Sequence, residues 1–357
     1  MKISRIVLIV IAIVIIGIIA LFAYSYETQV STSLTTSTSS TWLAVAGYPI
    51  ELGGTYGVAA QPCVANAGYI YCIGGSDYSG NPYSNVYFSA TSSSNLTGWT
   101  VGSTYPTNIM AQACAVYAGY IYCVGGTYDA AGDDIATSYY TSISQTGTLG
   151  AWNSTTDYPI PIDSQYCAAA SGYIYCVGGN NETDGTNGAA VPTSSVWYAP
   201  ISASGIGTWS ISNAYPANIY FPSCVASSSD IYCVGGVNGN DNGVNSAYYA
   251  ALTSSGVGVW TQTTNYPTSV VGQACSIASG YIYCVGGETG SNTYASGVFS
   301  ATVSSTGIGK WKQASGYPIS VETTCVASST DLYCVGGFDS SSVGATNYAF
   351  YASLSSF

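Results

Sequence analysis

The amino-acid sequence predicts an all-β protein, a six-bladed β-propeller preceded by one N-terminal transmembrane helix. Three observations carry this prediction. A motif that ends in Gly-Gly recurs six times, at a period of 50–57 residues, between residue 42 and the C-terminus. Each copy contains short apolar runs separated by turn signals, which is typical of a four-stranded blade that is repeated radially. Ahead of the repeats stands one apolar run long enough to cross a membrane.

The N-terminal segment has the pattern of a membrane anchor. Lys2 and Arg5 precede an uninterrupted apolar run over residues 6–24, which as a helix would rise about 28 Å. The positive-inside tendency puts the two cations in the cytoplasm and everything after the run outside. We therefore predict a cytoplasmic stub and transmembrane signal anchor over residues 1–30, and a single-pass protein of the cell membrane.

A cleavable signal peptide is the alternative for the same segment. Ala23-Tyr24-Ser25 would serve as its cleavage site, and the mature protein would then be extracellular. Residues 31–41, STSLTTSTSST, contain no core-forming pattern in either case. We predict that they form a flexible Ser/Thr-rich stalk.

The repeated unit is built around the string GYIYCVGG. Near copies occur at 68–75, 119–126, 172–179, 229–236, 280–287 and 330–337, of which the fourth and sixth begin SDIY and TDLY. An aromatic residue and, in five copies, a Trp follow the Gly-Gly pair. Six positions after each Trp comes Tyr-Pro, as in Trp99 and Tyr105-Pro106.

This order of features resembles the kelch repeat of β-propellers. The resemblance covers residues 42–357 and implies six blades. The family usually has Met-Pro where this chain has Tyr-Pro, and it usually lacks the paired cysteines. Functions of other kelch proteins therefore carry over poorly to this chain.

The ends of the repeat region predict how the ring closes. The sixth copy stops at Phe357 without a Trp strand, whereas Trp42, followed six residues later by Tyr48-Pro49, precedes the first copy. We predict that Trp42 lies on a strand that pairs with the last blade. Residues 42–357 would then form one closed propeller without an open seam.

The cysteines form one pair in each copy, always nine residues apart. With a two-residue turn at Ala67-Gly68, Cys63 faces Cys72 as a non-hydrogen-bonded pair, at a Cα separation of about 4.5 Å that a disulfide accepts. Metal sites and redox-active thiols are the weaker alternatives, because the chain has no His and no C-x-x-C. We predict six disulfides and an oxidising, extracytoplasmic location. The predicted pairs are Cys63 with Cys72, Cys114 with Cys123, Cys167 with Cys176, Cys224 with Cys233, Cys275 with Cys284, and Cys325 with Cys334.

The charged residues exclude several classes of function. Without His there is no Ser-His-Asp triad, no His metal ligand and no His general base. The only Arg is Arg5, which excludes Arg clamps for phosphate or carboxylate in the repeats. A formal net charge of −12 argues against nucleic acid as a partner.

The acidic residues concentrate on one side of the predicted propeller. Loops after the second and fourth strands of a blade share one rim, and by this sorting that rim carries most of the 16 acids. It would bind a cation or a polyhydroxy ligand, with Tyr faces as platforms for sugar rings. The alternative is that exposed loops simply collect turn-forming residues. The candidate ligand rim comprises Asp77, Asp129, Asp133, Asp134, Asp184, Asp241, Glu288 and Asp339.

Two segments of this rim have local patterns of chemical interest. Residues 238–243, NGNDNG, partly resemble a calcium loop, but Tyr249 stands where the bidentate Glu should be. An irregular Ca²⁺ site of oxygen ligands stays open there. Asp133 and Asp134 form a candidate acid/base pair, with simple solvation as the alternative. We assign no catalytic residue, no metal and no cofactor other than this Ca²⁺.

We favour a non-catalytic extracellular propeller that has a binding or structural role at the cell surface, with a protein or a glycan as its partner. The alternative is a carbohydrate-active enzyme, a lyase or hydrolase, that uses the rim carboxylates. Sialidase chemistry would need Arg, and the copper chemistry of galactose oxidase would need His. An assembly protein that forms a lattice or sheath is a third hypothesis. Sequons at Asn95, Asn153 and Asn181 fit a glycoprotein, and the scarcity of cationic partners for the acids predicts an acid-stable fold.

Overall fold

The computed structural model describes residues 41–49, 51–52, 55–77, 79–92, 95–129, 132–181, 191–290, 293–339 and 345–357. The predicted anchor at 1–30 and the stalk up to residue 40 lie outside these residues. Within the described ranges, no helix is long and apolar enough to cross a membrane. Strands and loops account for this part of the chain, apart from a 3₁₀ turn at Leu354–Ser356.

The described residues form a six-bladed, all-β propeller whose blades follow the six copies of the sequence repeat. Ahead of the first copy lie β1 (Trp42–Ala44), β2 (Glu51–Leu52) and β3 (Thr55–Tyr56). Blade 1 contains β4 (Cys63–Asn66), β5 (Tyr69–Ile73), β6 (Val86–Ser92), β7 (Asn95–Leu96) and β8 (Thr100–Val101). Blade 2 contains β9 (Ala113–Tyr117), β10 (Tyr120–Val124), β11 (Ser138–Ser142) and β12 (Asn153–Ser154). Blade 3 contains β13 (Tyr166–Ala170), β14 (Tyr173–Val177), β15 (Val196–Ser202), β16 (Gly205–Ile206) and β17 (Ser210–Ile211).

The second half of the propeller repeats this order. Before blade 4 comes β18 (Ile219–Tyr220), and the blade contains β19 (Ser223–Ala226), β20 (Asp230–Val234), β21 (Val237–Asn238), β22 (Ala247–Thr253), β23 (Gly256–Val257) and β24 (Thr261–Gln262). Blade 5 contains β25 (Ala274–Ala278), β26 (Tyr281–Val285), β27 (Glu288–Gly290), β28 (Thr293–Tyr294), β29 (Val298–Ser304), β30 (Gly307–Ile308) and β31 (Lys312–Gln313). Blade 6 contains β32 (Val321–Ala327), β33 (Asp331–Asp339) and β34 (Ala349–Ser353).

Each blade is an antiparallel sheet in which neighbours along the chain are neighbours in space. Blade 2 has the order β9-β10-β11-β12, and blades 1, 3, 4 and 5 follow the same plan with short extra strands at their loops. The first strand of every blade contacts the first strands of both adjacent blades. These six strands therefore surround a central channel, and the fourth strands lie at the outer edge.

The last blade is assembled from both ends of the chain. Strand β1 pairs antiparallel with β34, and Trp42 lies opposite Ala352. The resulting sheet has the order β1-β34-β33-β32. The N-terminal strand thus occupies the outer position that a fourth strand occupies in the other blades, so both strands at this seam are paired.

The inner hairpin of blade 1 has the predicted register. Asn66 lies opposite Tyr69, with a two-residue turn at Ala67 and Gly68 between them. Both turn residues have positive φ, 46° and 85°, which a tight two-residue hairpin turn of this kind requires. The register predicted from the spacing of the cysteines is therefore confirmed for this hairpin.

The six cysteine pairs are bonded as the sequence predicts. Each bridge joins residues nine positions apart, at a Cα separation of 4.0–4.1 Å, and no cysteine of the described residues is free. Both members of a pair lie on the first two strands of one blade, so each bridge closes a single hairpin. The disulfides join Cys63 to Cys72, Cys114 to Cys123, Cys167 to Cys176, Cys224 to Cys233, Cys275 to Cys284, and Cys325 to Cys334.

The Gly-Gly pair that ends each second strand joins one blade to the next. The backbone N–H of the second glycine donates to a carbonyl of the following blade, over 2.7–3.2 Å. A side chain at the first glycine would collide with the following blade; at Gly125, for example, the neighbours are the Ile162 carbonyl and the Gln165 amide. The six joints are Gly75 to Ile109, Gly126 to Ile162, Gly179 to Ile219, Gly236 to Val270, Gly287 to Val321 and Gly337 to Val58.

The hydrophobic core is divided among the interfaces between blades. Tyr71 of blade 1 packs in one cluster with Ile121 of blade 2, and both are fully buried. The Tyr71 hydroxyl donates to the Gly147 carbonyl of blade 2 at 2.9 Å. This buried Tyr thus adds a specific hydrogen bond to an apolar interface. Equivalent hydroxyls reach forward from Tyr122, Tyr175 and Tyr232.

Candidate functional site at the channel mouth

A cavity of about 350 Å³ opens where the first strands of the blades begin, at one end of the central channel. We call this cavity the channel mouth. This is the rim that the sequence predicts to be acidic. The lining comes from all six blades, mainly from residues just ahead of the first cysteine of each pair. Its members include Gln61, Gln112, Gln165, Phe221, Gln273, Glu288, Glu322 and Phe338.

Glutamine occupies the same position in four of the six blades, two residues before the first cysteine. Each of these side chains is buried and donates its amide to the last carbonyl before the Gly-Gly pair of the preceding blade. Gln112 Nε2, for example, lies 3.0 Å from the Ile73 oxygen. The glutamines hold the wall of the mouth together, so their amide groups belong to the scaffold. Blades 4 and 6 have Pro222 and Thr323 at this position.

Glu288 and Glu322 are the two carboxylates that line the cavity. They come from blades 5 and 6. Glu322 packs against Gly272, where an added Cβ would collide with its carboxylate. Burial, and secondarily the charge of Glu288, raises the pKa of Glu322 to about 8. At neutral pH the Glu322 carboxyl group therefore tends to hold a proton, and it presents both a donor and an acceptor to the cavity.

A second pair of carboxylates lies between blades 2 and 3. Asp134 is 6% exposed and accepts a hydrogen bond from the Thr127 hydroxyl at 3.1 Å. The same hydroxyl lies 3.4 Å from Asp163 Oδ2, which also accepts from the Ser164 hydroxyl at 3.0 Å. The structure thus pairs Asp134 with Asp163. Asp133, which precedes Asp134 in the sequence, is not part of this pair.

Other loop acids of the predicted rim act as acceptors within their own turns. Asp77 accepts from the backbone N–H of Ser79 and Asn81 and from the Tyr83 hydroxyl, which lies at 2.7 Å. Burial disfavours its charge, but hydrogen bonds from Asn81, Tyr83 and Ser79 outweigh this and lower the pKa of Asp77. Local donors thus stabilise the Asp77 carboxylate within its own turn.

The same turn chemistry recurs in two further loops. Asp129 Oδ1 accepts from the Asp133 backbone N–H at 3.2 Å. In the calcium-like segment, Asn238 Oδ1 accepts from the backbone N–H of Asn240 and Asn242. These oxygens are turned toward the backbone, as in ordinary Asx turns. In the same segment, Asp241 accepts from the Tyr220 hydroxyl at 3.2 Å.

Of the two remaining residues of the predicted rim, the structure describes one. Asp339 ends β33 opposite Val321 and is half-buried. Asp184 lies outside the described residues. Among the residues that are described, no group of three or more acidic or Cys side chains has the arrangement of a metal site.

Aromatic residues at the mouth are fewer than the Tyr count predicts. Tyr128 is 41% exposed near the acidic loops, and Phe221, Phe338 and Tyr166 line the cavity. Burial raises the pKa of Tyr166 to about 12. The strand tyrosines are largely committed to packing between blades. A stacking surface for a ligand would therefore depend on these four rings.

The sequons also differ in exposure. Asn153 is exposed and its amide donates to the Ala151 carbonyl. Asn181 is only 5% exposed, which leaves little room for a glycan on its side chain. Asn95 begins β7. Of the two sequons with described side chains, Asn153 is thus the accessible one.

The propeller is similar to solved structures, among them that of YjhT. The TM-score is 0.66 over 85% of this chain and 95% of that chain, at 12% sequence identity. At this identity the likeness concerns the fold alone. No protein-family model matches the sequence, and no curated protein matches it.

Proposed function

We propose that this protein is a non-catalytic propeller that acts outside the cytoplasm, as a binding or structural component of a cell surface. The observation that carries this proposal is that polar side chains of the loops accept hydrogen bonds within their own turns. Asp77, Asp129 and Asn238 direct their side-chain oxygens into their own turns. Groups that stabilise loops in this way serve to hold a surface in shape, which is what a binding scaffold needs.

The location follows from the cysteines. Six disulfides form and persist only in an oxidising compartment, apart from intracellular proteins of hyperthermophiles. We infer that the apolar run at 6–24 anchors the chain in the cell membrane with the propeller outside. We also infer that the blades are related to kelch repeats, because the Gly-Gly pair, the following aromatic residue and the Trp recur in order.

The channel mouth is the binding surface that we propose for a protein or glycan partner. It is concave and has both charged and aromatic members, as ligand sites commonly do. The carboxyl groups of Glu288 and Glu322 offer hydrogen-bonding partners, and Phe221 and Phe338 offer apolar faces. A polyhydroxy ligand matches this mixture.

Binding and turnover can be separated with the purified full-length chain. It would be applied to an array of surface polysaccharides, and released reducing ends would be assayed in parallel. We expect saturable binding without release, and we expect it to weaken in Glu288→Gln but not in Asp241→Asn, an exposed acid of a blade 4 loop. Binding that is unaffected by Glu288→Gln would remove the channel mouth from the proposal.

A second candidate function rests on the Glu288 and Glu322 pair. Two carboxyl groups, one of which has a raised pKa and acts as general acid, are the machinery of glycoside hydrolysis. A carbohydrate-active lyase or hydrolase would use Glu322 as acid and Glu288 as base or nucleophile. Release of reducing ends that disappears in both Glu322→Gln and Glu288→Gln, while Asp241→Asn stays active, would establish the enzyme instead of the binding module.

A further inference from the structure

The first residue of the second strand differs among the blades in a way that the repeat does not explain. Blades 4 and 6 have Asp230 and Asp331 at this position. The other four blades have a tyrosine there. In blades 1, 2 and 3 this tyrosine packs against the apolar cluster shared with the next blade, whereas the tyrosine of blade 5 is 41% exposed. The Tyr69 ring, for example, lies against Gly147 of blade 2, where an added Cβ would collide with it. The four tyrosines are Tyr69, Tyr120, Tyr173 and Tyr281.

Asp230 faces the same way as the tyrosines that it replaces. Residues two apart on a strand point to the same face. Tyr232 follows Asp230 by two positions, and its hydroxyl donates to the Ser304 carbonyl of blade 5 at 2.9 Å. Asp230 therefore faces blade 5 from the position at which a Tyr ring would fill the interface.

A cleft lies beside each of these aspartates. The cleft between blades 4 and 5 has a volume of about 550 Å³ and is lined by Asp230, Tyr232, Ile277 and Val303 together with the adjoining turn residues. Its counterpart between blades 6 and 1 has a volume of about 490 Å³ and contains Asp331. Both clefts are on the rim that is formed by the hairpin turns between the first and second strands and between the third and fourth strands. We call it the hairpin rim, and it lies opposite the channel mouth. The change from Tyr to Asp thus coincides twice with an open cleft.

The two carboxylates are buried and have matching surroundings. Each aspartate is 5% exposed. Ser229 Oγ donates to Asp230 Oδ2 at 2.5 Å, and Thr330 Oγ1 donates to Asp331 Oδ2 at 2.6 Å. In the part of the chain that the structure describes, neither Oδ1 receives a hydrogen bond, and neither lysine forms an ion pair with these groups.

Such a carboxylate is incompletely stabilised, because burial removes most of its water and only one of its oxygens gains a donor from the protein. A cationic donor placed in the cleft would supply both the missing charge and the missing hydrogen bonds. The slot also takes a flat group, since its equivalents in four blades hold a phenol ring. A guanidinium group is flat, always charged and able to pair with both oxygens of a carboxylate.

We propose that these two clefts bind arginine side chains presented by a partner protein. The propeller has no arginine of its own, because the single Arg of the chain is Arg5. The net charge of −12 favours the approach of a basic partner. The hairpin rim would therefore serve as a docking surface for an arginine-bearing segment, separate from the ligand site proposed at the channel mouth.

The test uses the full-length chain and a tetra-arginine peptide, measured by calorimetry at low and at physiological salt. Asp230→Asn/Asp331→Asn removes both charges. Asp230→Tyr/Asp331→Tyr installs the residue of the other four blades, so it fills the clefts in a manner that this fold already accommodates. We expect about a tenfold or greater loss of affinity in both variants, which corresponds to about 1.4 kcal/mol or more. Asp133→Asn/Asp241→Asn, which removes two exposed charges from the other rim, should change affinity by less than about twofold.

Three outcomes would overturn the proposal. One is an equal loss of affinity in the control variant at Asp133 and Asp241, which would mean that the peptide responds only to the net charge of the protein. Another is equal binding of a tetra-citrulline peptide, since citrulline keeps the planar shape and lacks the charge. The third is unchanged affinity in Asp230→Tyr/Asp331→Tyr, provided that this variant melts at or near the wild-type temperature. If it melts much lower, Asp230→Asn/Asp331→Asn decides by the same criterion.

Discussion

Trp42 packs edge-on against Tyr317, with ring centroids 4.8 Å apart and an interplanar angle of 86°. Trp42 is 3% exposed and Tyr317 is 4% exposed. The contact joins a strand from the start of the propeller to the Tyr-Pro that follows blade 5. It is the sixth copy of one arrangement, in which the Tyr after each blade meets the Trp of the next. The other five are Tyr48 with Trp99, Tyr105 with Trp152, Tyr158 with Trp209, Tyr215 with Trp260 and Tyr266 with Trp311.

We therefore predict that Trp42→Ala destabilises the propeller by about 3–5 kcal/mol, the usual cost of truncating a buried Trp. Strand β1 would lose its anchor and blade 6 its outer edge. Leu43→Ala is the matched control, because Leu43 is the next residue on the strand and is 54% exposed. Urea denaturation of both variants measures the difference. Equal midpoints would mean that the N-terminal strand contributes little to closure.

We expect each disulfide to contribute separately to the stability of the propeller. Each bridge closes a loop of about ten residues, for which the chain-entropy model gives roughly 2–3 kcal/mol. We expect Cys275→Ala/Cys284→Ala to lower the stability by this amount and to leave the other five bridges intact. Peptide mass mapping without reduction would check both the pairing and the absence of new thiols. A bridge between two blades in wild type would contradict the register in which Cys275 lies opposite Cys284.

Much of this architecture is readable from the sequence because it is local and repeated. The register of the inner hairpin of blade 1 follows from the Ala67-Gly68 turn and the nine-residue spacing of its cysteines. The structure confirms this register. The turns of blades 4 and 6 were not foreseen. Their turn residues are Ser228-Ser229 and Ser329-Thr330, without the glycine of the other blades. The Ser227 hydroxyl accepts from the backbone N–H of Ser229 and Asp230.

The candidate site was harder to predict because its members are distant in sequence. Glu288 and Glu322 belong to different blades and meet only when blades 5 and 6 are side by side. Asp163 joins Asp134 through a hydroxyl of Thr127, whereas the sequence favoured the adjacent Asp133. The role of the buried glutamines had no local signal at all, since the partner of each is a carbonyl of the preceding blade.

The Gly-Gly joint makes a prediction that separates crowding from backbone strain. Gly178 has φ +63°, and an added Cβ would collide with the Ile219 carbonyl of blade 4. Gly172, in the same blade, has φ +83° and no neighbour within 4 Å. Both alanine variants carry the cost of a left-handed backbone, but only Gly178→Ala also forces two blades apart. We expect Gly178→Ala to lower the melting temperature much more than Gly172→Ala. Similar melting temperatures would show that the blades can separate at this joint without cost.

The last prediction concerns the dependence of stability on pH. The pKa of Glu322 rises from its ordinary value of 4.5 to about 8 in the folded protein. Between these values the folded state binds more protons than the unfolded state, so stability increases as the pH falls from about 8 toward 4.5. Asp77 acts in the opposite sense, because its pKa is lowered and its contribution is lost as the pH falls below 3.8.

We therefore expect the melting temperature to rise on acidification from about pH 8.5 to about pH 5 and to fall below about pH 4. Glu322→Gln should flatten the rise, because the amide cannot ionise, and should raise the melting temperature most at the alkaline end. Asp241→Asn, which removes an exposed carboxylate, should leave the slope unchanged. Calorimetric scans of the three proteins across this range would measure the profile. A melting temperature that falls steadily from about pH 7 to about pH 5 in wild type would contradict it, and would also remove the basis for an acid-stable exterior protein. The rise has a direct physical source: protonating Glu322 relieves both the burial of its charge and its repulsion with Glu288.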